Sequence, residues 1–134
     1  MAPGVYRYDG TTVTQSLAVA GLDGIHGSGP SDIWVAGSVI GSALWHFDGA
    51  SWSAVDAGQA TSRVNGVFAP TAATAFVAIS DRLAARDQGV WRSQSLPAGY
   101  RANDNSIYAP SARVLFLGAT RLSDNVSVAI MGTR

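Results

Sequence analysis

The chain has no cysteine, no lysine and no glutamate, so each of its nine basic residues is arginine and each of its nine acidic residues is aspartate. Without cysteine, disulfides and thiolate metal sites are excluded. Lysine and glutamate are the common residues of exposed helix faces, whereas Asp, Gly, Ser, Thr and Asn suit turns. These absences therefore indicate a protein made mainly of β-structure.

The chain also lacks a net charge, a long apolar run and a signal-peptide pattern, and these absences narrow the classes of partner that are expected. Net charge is zero, which gives no field to attract nucleic acid or anionic lipid, and neither is expected as a partner. No apolar run approaches the roughly 18 residues needed to cross a bilayer, and the first residues do not read as a signal peptide. The compartment is left open. A hydrophobic fraction of 47% favours one folded domain.

The chain repeats itself at intervals of about 40 residues. Two short motifs recur three times without gaps, and the copies lie at Gly24–Gly27 with Asp32–Val35, Gly66–Ala69 with Thr74–Val77, and Ser106–Ala109 with Val114–Leu117. Between them, Tyr8-Asp9-Gly10 recurs as Phe47-Asp48-Gly49, and Trp52 recurs as Trp91. These two interleaved sets of motifs recur with nearly the same spacing, which indicates a true repeat.

Each period predicts four short strands. In the best-preserved copy these are Leu22–Gly27, Asp32–Ser38, Ala43–Phe47 and Ser51–Val55, with turns at Ser28–Ser31, Gly41–Ser42 and Asp48–Gly49. Val, Ile and aromatic residues fill the strands. Only Arg82–Arg86 looks helical, and its place in the period predicts a third strand instead.

A four-stranded unit of this length is the size of a β-propeller blade. The expected fold is therefore all-β, with blades of four antiparallel strands and about three blades per chain. A continuous β-sandwich or barrel built from the same strands is the alternative. Trp34, Phe76 and Phe116 recur in register, so all three are predicted to lie in the core.

The segments Gly24–Gly37 and Trp45–Trp52 resemble the repeat of bacterial β-propeller proteins, and also the Asp-box blades of sialidase-like propellers. In an Asp-box blade, an Asp, a Gly and a later aromatic residue shape the turn between the third and fourth strands. Asp87–Trp91 resembles that turn most, whereas Asp48-Gly49 lacks the intervening residue. The resemblance implies an architectural role for these residues: the carboxylate accepts backbone N–H bonds while Gly supplies positive φ.

The repeats do not make a complete ring. The predicted units are a half blade at 4–18, blades at 20–58 and 62–97, and a partial blade at 103–133, the last with strands at Asn105–Ala109, Arg113–Gly118 and Val126–Met131. Propellers have four to eight blades, so copies are expected to associate, and a homodimer would supply six. The alternatives are that the chain is a fragment or engineered piece of a longer propeller, or that residues 125–133 swap elsewhere.

Catalysis is not expected from these residues. Thiol chemistry and glutamate acid–base roles are unavailable, and no Gly-x-Ser-x-Gly elbow occurs. His26 aligns with Phe68 and Tyr108, which predicts a packed aromatic position, whereas His46 aligns with Arg7 and Ala85, which suggests a surface. No metal or phosphate motif is present, and the oxygen-rich segments 103–105 and 123–125 read as turns. No cofactor is expected.

Binding remains as the expected function. Aromatic residues in excess of core needs, beside Arg and Asp, suit stacking on sugars together with bidentate hydrogen bonds. The candidate binding residues are Trp45 with His46, Tyr6 with Arg7, and Tyr100 with Arg101. A carbohydrate-binding, lectin-like propeller is one hypothesis. A protein-interaction or structural scaffold is the other, and the mismatch of Trp45, Tyr6 and Ala84 between copies counts against repeated sugar pockets.

Overall fold

A computed structural model describes residues 1–38, 42–58 and 63–133, and all regular secondary structure in these segments is β-strand. No helix able to cross a membrane occurs in the described segments. The predicted turn at Gly41–Ser42 falls partly outside them, as does residue 62, the first of the second predicted full blade.

The strands of the described residues form four antiparallel sheets, each with its strands in chain order. Sheet 1 holds β1 (Val5–Tyr8) and β2 (Val13–Leu17), and sheet 2 holds β3 (Leu22–Gly29), β4 (Asp32–Gly37), β5 (Leu44–Phe47) and β6 (Trp52–Ala54). Sheet 3 holds β7 (Gly66–Thr71), β8 (Thr74–Ile79), β9 (Arg82–Asp87) and β10 (Val90–Ser95). Sheet 4 holds β11 (Tyr100–Tyr108), β12 (Val114–Arg121) and β13 (Val126–Thr133).

The sequence prediction of an all-β protein is confirmed, and most strands lie within two or three residues of their predicted bounds. The segment that looked helical, at Arg82, is strand β9. β11 differs, because it begins at Tyr100, five residues before the predicted start. Its pairing with β12 skips from Ala102 to Ile107, so the intervening residues bulge out of the ladder.

The repeats occupy equivalent places in the sheets. His26 pairs with Trp34, Phe68 with Phe76, and Tyr108 with Phe116, in each case between the first and second strands of a sheet. The first strands also lie beside one another: the His26 ring stacks on Phe68 with centroids 3.8 Å apart, and Phe68 meets Tyr108 edge-on at 5.2 Å. The first strands β3, β7 and β11 of these three sheets therefore lie next to one another.

Two hydrophobic clusters join these sheets. The first lies between sheets 2 and 3 and includes Trp34, Val67 and Val77; the second lies between sheets 3 and 4 and includes Phe76 and Leu117. Successive residues of β8 face opposite clusters, as the period-two geometry of a strand requires. Sheet 3 is therefore covered on both faces, which explains why all six residues of β8 are buried.

One predicted core residue is not in the core. Trp34 and Phe76 are 1% and 0% exposed, but Phe116, at the equivalent position, is 41% exposed. Sheet 3 covers Trp34, and sheet 4 covers Phe76. Phe116 lies on the outer face of sheet 4, and no further sheet packs on that face among the described residues. Tyr108, its cross-strand neighbour, is 56% exposed for the same reason.

The Asp-Gly turns have the predicted geometry. The Asp48 carboxylate accepts the backbone N–H groups of Ala50 and Ser51, both at 2.8 Å, and Gly49 has φ +100°. Asp9 makes the same loop in sheet 1, where hydrogen bonds from Thr12 and Thr11 lower the pKa of Asp9 to about 2. The carboxylates in these turns accept hydrogen bonds from backbone N–H groups, so they are not free to react with a substrate.

Candidate functional site: a polar cleft between sheets 3 and 4

A cleft of about 300 Å³ opens between sheets 3 and 4, near the beginning of their first strands. It is lined by Arg63, Asn65, Ser80, Arg101, Ala102, Asn103 and Asp104. Six of these seven side chains are polar or charged. The cleft therefore suits a ligand rich in hydrogen-bonding groups rather than an apolar one.

Asn65 forms the floor of the cleft and is only 8% exposed. Its side-chain oxygen accepts the Ser80 N–H at 2.7 Å, and its Nδ2 donates to Asp104 Oδ1 at 2.7 Å. Its backbone oxygen accepts the Asn105 N–H, also at 2.7 Å. Because these bonds reach both β11 and the β8–β9 turn, Asn65 fixes the two walls of the cleft relative to each other.

Arg63 binds across the sheets at the edge of the cleft. Its Nη2 lies 2.8 Å from Asp23 Oδ2 and 3.1 Å from Asp104 Oδ2, which join it to sheets 2 and 4. All three side chains are more than one-third exposed, so these ion pairs contribute little stability. Their effect is to position the Asp104 carboxylate beside the opening.

Arg101 is the charged group left free to bind a ligand. In the part of the chain that the structure describes, its guanidinium forms no hydrogen bond or ion pair, although the side chain is exposed and lines the cleft. A guanidinium presents five N–H donors in a planar fork. Arg101 therefore offers donors next to the acceptor oxygens of Asn103 and Asp104.

The bulged part of β11 is held firmly in spite of its irregular backbone. Thr120 Oγ1 donates to Asn103 Oδ1 at 2.6 Å, and Ser106 Oγ lies 2.9 Å from the backbone oxygens of Asn103 and Gly118. Asn105 has φ +50° and Ser80, on the opposite wall, has φ +40°. Positive φ is uncommon for serine, so the Ser80 wall of the cleft is locally strained, which is common at binding sites.

A second cavity, of about 400 Å³, lies between the first strands of sheets 2, 3 and 4. Its lining includes Ile25, His26, Phe68 and Ile107. His26 Nδ1 accepts the Ala69 N–H at 3.1 Å, and burial lowers the pKa of His26. His26 is therefore a packed aromatic residue, as its alignment with Phe68 predicted, and it acts as a link between β3 and β7.

His46 belongs to a partly buried hydrogen-bonded cluster centred on Asp32, and its side chain is 20% exposed, so it is not the open surface residue that its alignment suggested. Asp32 Oδ1 lies 2.8 Å from His46 Nε2 and accepts the Trp34 Nε1–H at 2.9 Å, and Oδ2 accepts the Ser28 hydroxyl at 2.6 Å. The His46 ring also stacks on Trp34 at 4.1 Å. Burial would raise the pKa of Asp32, but the bonds from Ser28, His46 and Trp34 outweigh it and keep the pKa below its usual range.

The other candidate binding residues lie in three different sheets. Trp45 is half-buried on β5 and donates from Nε1 to the Ser42 oxygen at 3.2 Å. Tyr6 lines a groove of about 270 Å³ beside β3 and β4, and Arg7 follows it on β1. Tyr100 begins β11 opposite Arg121, next to Arg101. Of these candidates, Arg101 is the one that lines the polar cleft.

Most cleft residues were not singled out from the sequence as binding residues, and segment 103–105 was interpreted as a turn. A usable signal was present, because Asp23, Asn65 and Asn105 each precede the aligned residues Gly24, Gly66 and Ser106. In the structure Asn105 links the other two residues, because its Nδ2 donates to the Asp23 backbone oxygen at 2.8 Å and its backbone N–H donates to the Asn65 backbone oxygen at 2.7 Å. A short polar side chain that recurs at this repeat position indicates a polar cluster beside the first strands of sheets 2, 3 and 4.

Comparison of the chain with family models, curated proteins and solved structures finds no match. Within residues 1–38, 42–58 and 63–133, no three His, Asp, Cys or Glu side chains are arranged to hold a metal ion.

Proposed function

We propose that the chain is a non-enzymatic binding module made of β-propeller blades, and that it takes a carbohydrate in the polar cleft between sheets 3 and 4. The observation that carries the proposal is the Arg101 guanidinium, which has no partner among the described residues and lines the same cleft as the fixed oxygens of Asn103 and Asp104. The propeller interpretation is supported by the chain-order sheets and by their adjacent first strands.

The cleft chemistry suits neighbouring sugar hydroxyls. Each hydroxyl both donates and accepts, so a pair of them can accept from Arg101 and donate to a carboxylate such as Asp104. The acceptors are preorganised, since Asn103 is held by Thr120 and Asp104 by Asn65 and Arg63. Preorganisation lowers the entropy lost when a ligand binds, which favours recognition by a small, open cleft.

A hydrolytic role has less support. Ser28, Asp32 and His46 are joined by hydrogen bonds, but Asp32 lies between the other two, so His46 is not placed to take the Ser28 proton. The same carboxylate also accepts from Trp34. We interpret this cluster as a structural tie that fixes β3, β4 and β5 within sheet 2.

A glycan array followed by calorimetry on any hit tests the proposal. We expect Arg101→Ala to weaken binding at least tenfold, because it removes the charged donors (about 1.4 kcal/mol per factor of ten). Arg92→Ala is the matched control, since Arg92 is an exposed arginine on β10 outside the cleft lining, and it should bind like the unaltered protein. A silent array, or equal affinities for both variants, would reject a carbohydrate site at this cleft.

A scaffold that binds other proteins is the second candidate, favoured by a row of exposed apolar side chains across sheet 4. Tyr108, Phe116 and Met131 pair across β11, β12 and β13 and are 56%, 41% and 64% exposed. Contiguous apolar surface of this kind marks interaction sites on soluble proteins.

A further inference from the structure

We infer that the ligand of the polar cleft is an acidic saccharide, and that Arg101 and the Asn103 side-chain amide bind the carboxylate of one of its uronate residues. The inference rests on the proposed carbohydrate site and adds the chemical class of the sugar. The hydrogen bonds that the cleft side chains already make, and those that they leave unmade, both favour such a group.

The acceptor oxygens of the cleft side chains are already in use. Asn65 Oδ1 accepts a backbone N–H at 2.7 Å, and Asn103 Oδ1 accepts the Thr120 hydroxyl at 2.6 Å. The Asp104 carboxylate accepts Asn65 Nδ2 at Oδ1, 2.7 Å away, and Arg63 Nη2 at Oδ2, 3.1 Å away. Every amide and carboxylate oxygen among the lining side chains therefore has a donor within the protein.

The donors of the cleft, in contrast, are left over. None of the described residues accepts a hydrogen bond from the Arg101 guanidinium or from Asn103 Nδ2. No side-chain nitrogen or oxygen in the described segments is both buried and without a hydrogen bond, so Asn103 Nδ2 is accessible to solvent. A guanidinium carries five N–H groups and a primary amide carries two. The ligand group that matches this excess of donors is one rich in acceptors.

Arg101 and Asn103 are placed to bind the same ligand group. They are alternate residues near the beginning of β11, so their side chains project from one face of the strand, and both line the cleft. Thr120 pairs with Arg101 across the ladder and also binds Asn103 Oδ1. This bond holds the amide and leaves Nδ2 as its free end.

The charges of the lining also favour an anion at Arg101. Arg63 and Arg101 are the basic residues of the lining, and Asp104 is its acidic residue. Arg63 pairs with Asp104 and with Asp23, whereas Arg101 has no acidic partner among the described residues. A ligand carboxylate supplies that partner, because the planar guanidinium can donate two parallel N–H groups to its two oxygens.

A sugar acid suits the cleft better than a free anion. The cleft measures about 300 Å³ and offers the Asp104 carboxylate as well as the two donors. A uronate residue carries its carboxylate and its hydroxyl groups on one ring, so the carboxylate can accept from Arg101 and Asn103 while a hydroxyl donates to Asp104. Arg63 and Asn65 both donate to Asp104, which reduces its repulsion of the ligand carboxylate.

Calorimetric titration with oligosaccharides of galacturonate, glucuronate and mannuronate, each beside its own methyl ester, tests the inference. Esterification removes the charge and leaves the ring and its hydroxyl groups unchanged. We expect at least one acid to bind about tenfold more tightly than its ester, because a charge-assisted hydrogen bond is roughly twice as strong as a neutral one. Added salt should weaken binding of the acid more than binding of the ester, since salt screens exposed charges.

Two variants test the assigned residues. Arg101→Gln keeps N–H donors but no charge, so it should bind acid and ester within about twofold of each other. Asn103→Asp keeps an oxygen for the Thr120 hydroxyl and replaces the free donor with a negative charge, so it should also lose the preference for the acid. Arg92→Gln, on β10 outside the cleft lining, is the matched control and should keep the full preference. Circular dichroism checks that each variant is folded.

The outcomes separate this inference from the proposed function. If neutral glycans bind through Arg101 and no acid is preferred over its ester, the cleft binds carbohydrate and the uronate inference is wrong. Competition by sodium acetate as strong as that of the sugar acid also overturns the inference, because the cleft then binds a carboxylate without the sugar. Binding of no glycan, neutral or acidic, rejects both.

Discussion

The ring of Trp34 in sheet 2 meets the ring of Trp91 in sheet 3 edge-on, with centroids 5.8 Å apart and an interplanar angle of 85°. The Arg86 guanidinium lies over the same Trp34 ring, 5.5 Å from its centroid. Trp34 therefore joins two consecutive repeats through packing and through a cation–π contact. Its position in the repeat is the one that Phe76 and Phe116 also occupy.

Replacing Trp34 with Ala should destabilise the chain by about 3–5 kcal/mol, the usual cost of removing a large, fully buried aromatic side chain. Urea denaturation followed by circular dichroism measures the change. Tyr8→Ala is the control, because Tyr8 is 67% exposed, and it should change stability by less than about 0.5 kcal/mol. Similar losses for both variants would show that the contact between sheets 2 and 3 does not hold the repeats together.

The Asp32 cluster gives a second stability prediction. Asp32→Ala leaves the buried Trp34 Nε1–H and His46 Nε2 without their acceptor, so we expect a loss of about 2–4 kcal/mol in unfolding free energy. Asp81→Ala should cost less than about 0.5 kcal/mol, because the Asp81 carboxylate is 72% exposed and pairs with an exposed arginine. Chemical denaturation of both variants at neutral pH measures the difference, and a loss below 1 kcal/mol for Asp32→Ala would contradict the proposed structural tie.

Protonation of His26 should weaken the fold. Burial lowers the pKa of His26 from its ordinary 6.5, so the unfolded chain binds the proton more readily than the folded chain. The His26 contribution to stability is therefore complete well above pH 6.5 and falls as the pH drops below 6.5. The Ala69 N–H donated to Nδ1 favours the same neutral form.

Denaturation of the unaltered protein and of His26→Phe at pH 7.5 and pH 5.5 measures this effect. Phenylalanine is the residue that β7 carries at the same repeat position, Phe68, so the variant preserves the stacked ring. We expect His26→Phe to lose less stability than the unaltered protein between the two pH values. An equal or larger loss in the variant would show that His26 is not the group responsible.

Strand positions could be predicted from the sequence because they depend on local features. A short continuous run of apolar residues defines β8, and turns such as Asp48-Gly49 are closed by bonds within four residues. The bulge in β11 was missed because Asn65 and Thr120, far along the chain, hold it in place. The place of His46 was missed because its partner Asp32 lies 14 residues away on another strand.

The candidate site was predicted only in part for a similar reason. Arg101 could be singled out as a basic residue next to an aromatic one, but the cleft also needs Arg63 and Asn65 from the preceding repeat. Exposure of Phe116 could not be inferred from its repeat position, because burial depends on whether a following sheet is present.

The account depends most on the proposal that the polar cleft between sheets 3 and 4 binds a carbohydrate. Calorimetric titration of a glycan-array hit into the unaltered chain and into Arg101→Ala tests that proposal most directly. The account predicts that Arg101→Ala binds the glycan at least tenfold more weakly. Equal affinities of the two proteins, or no glycan bound by either, would contradict it.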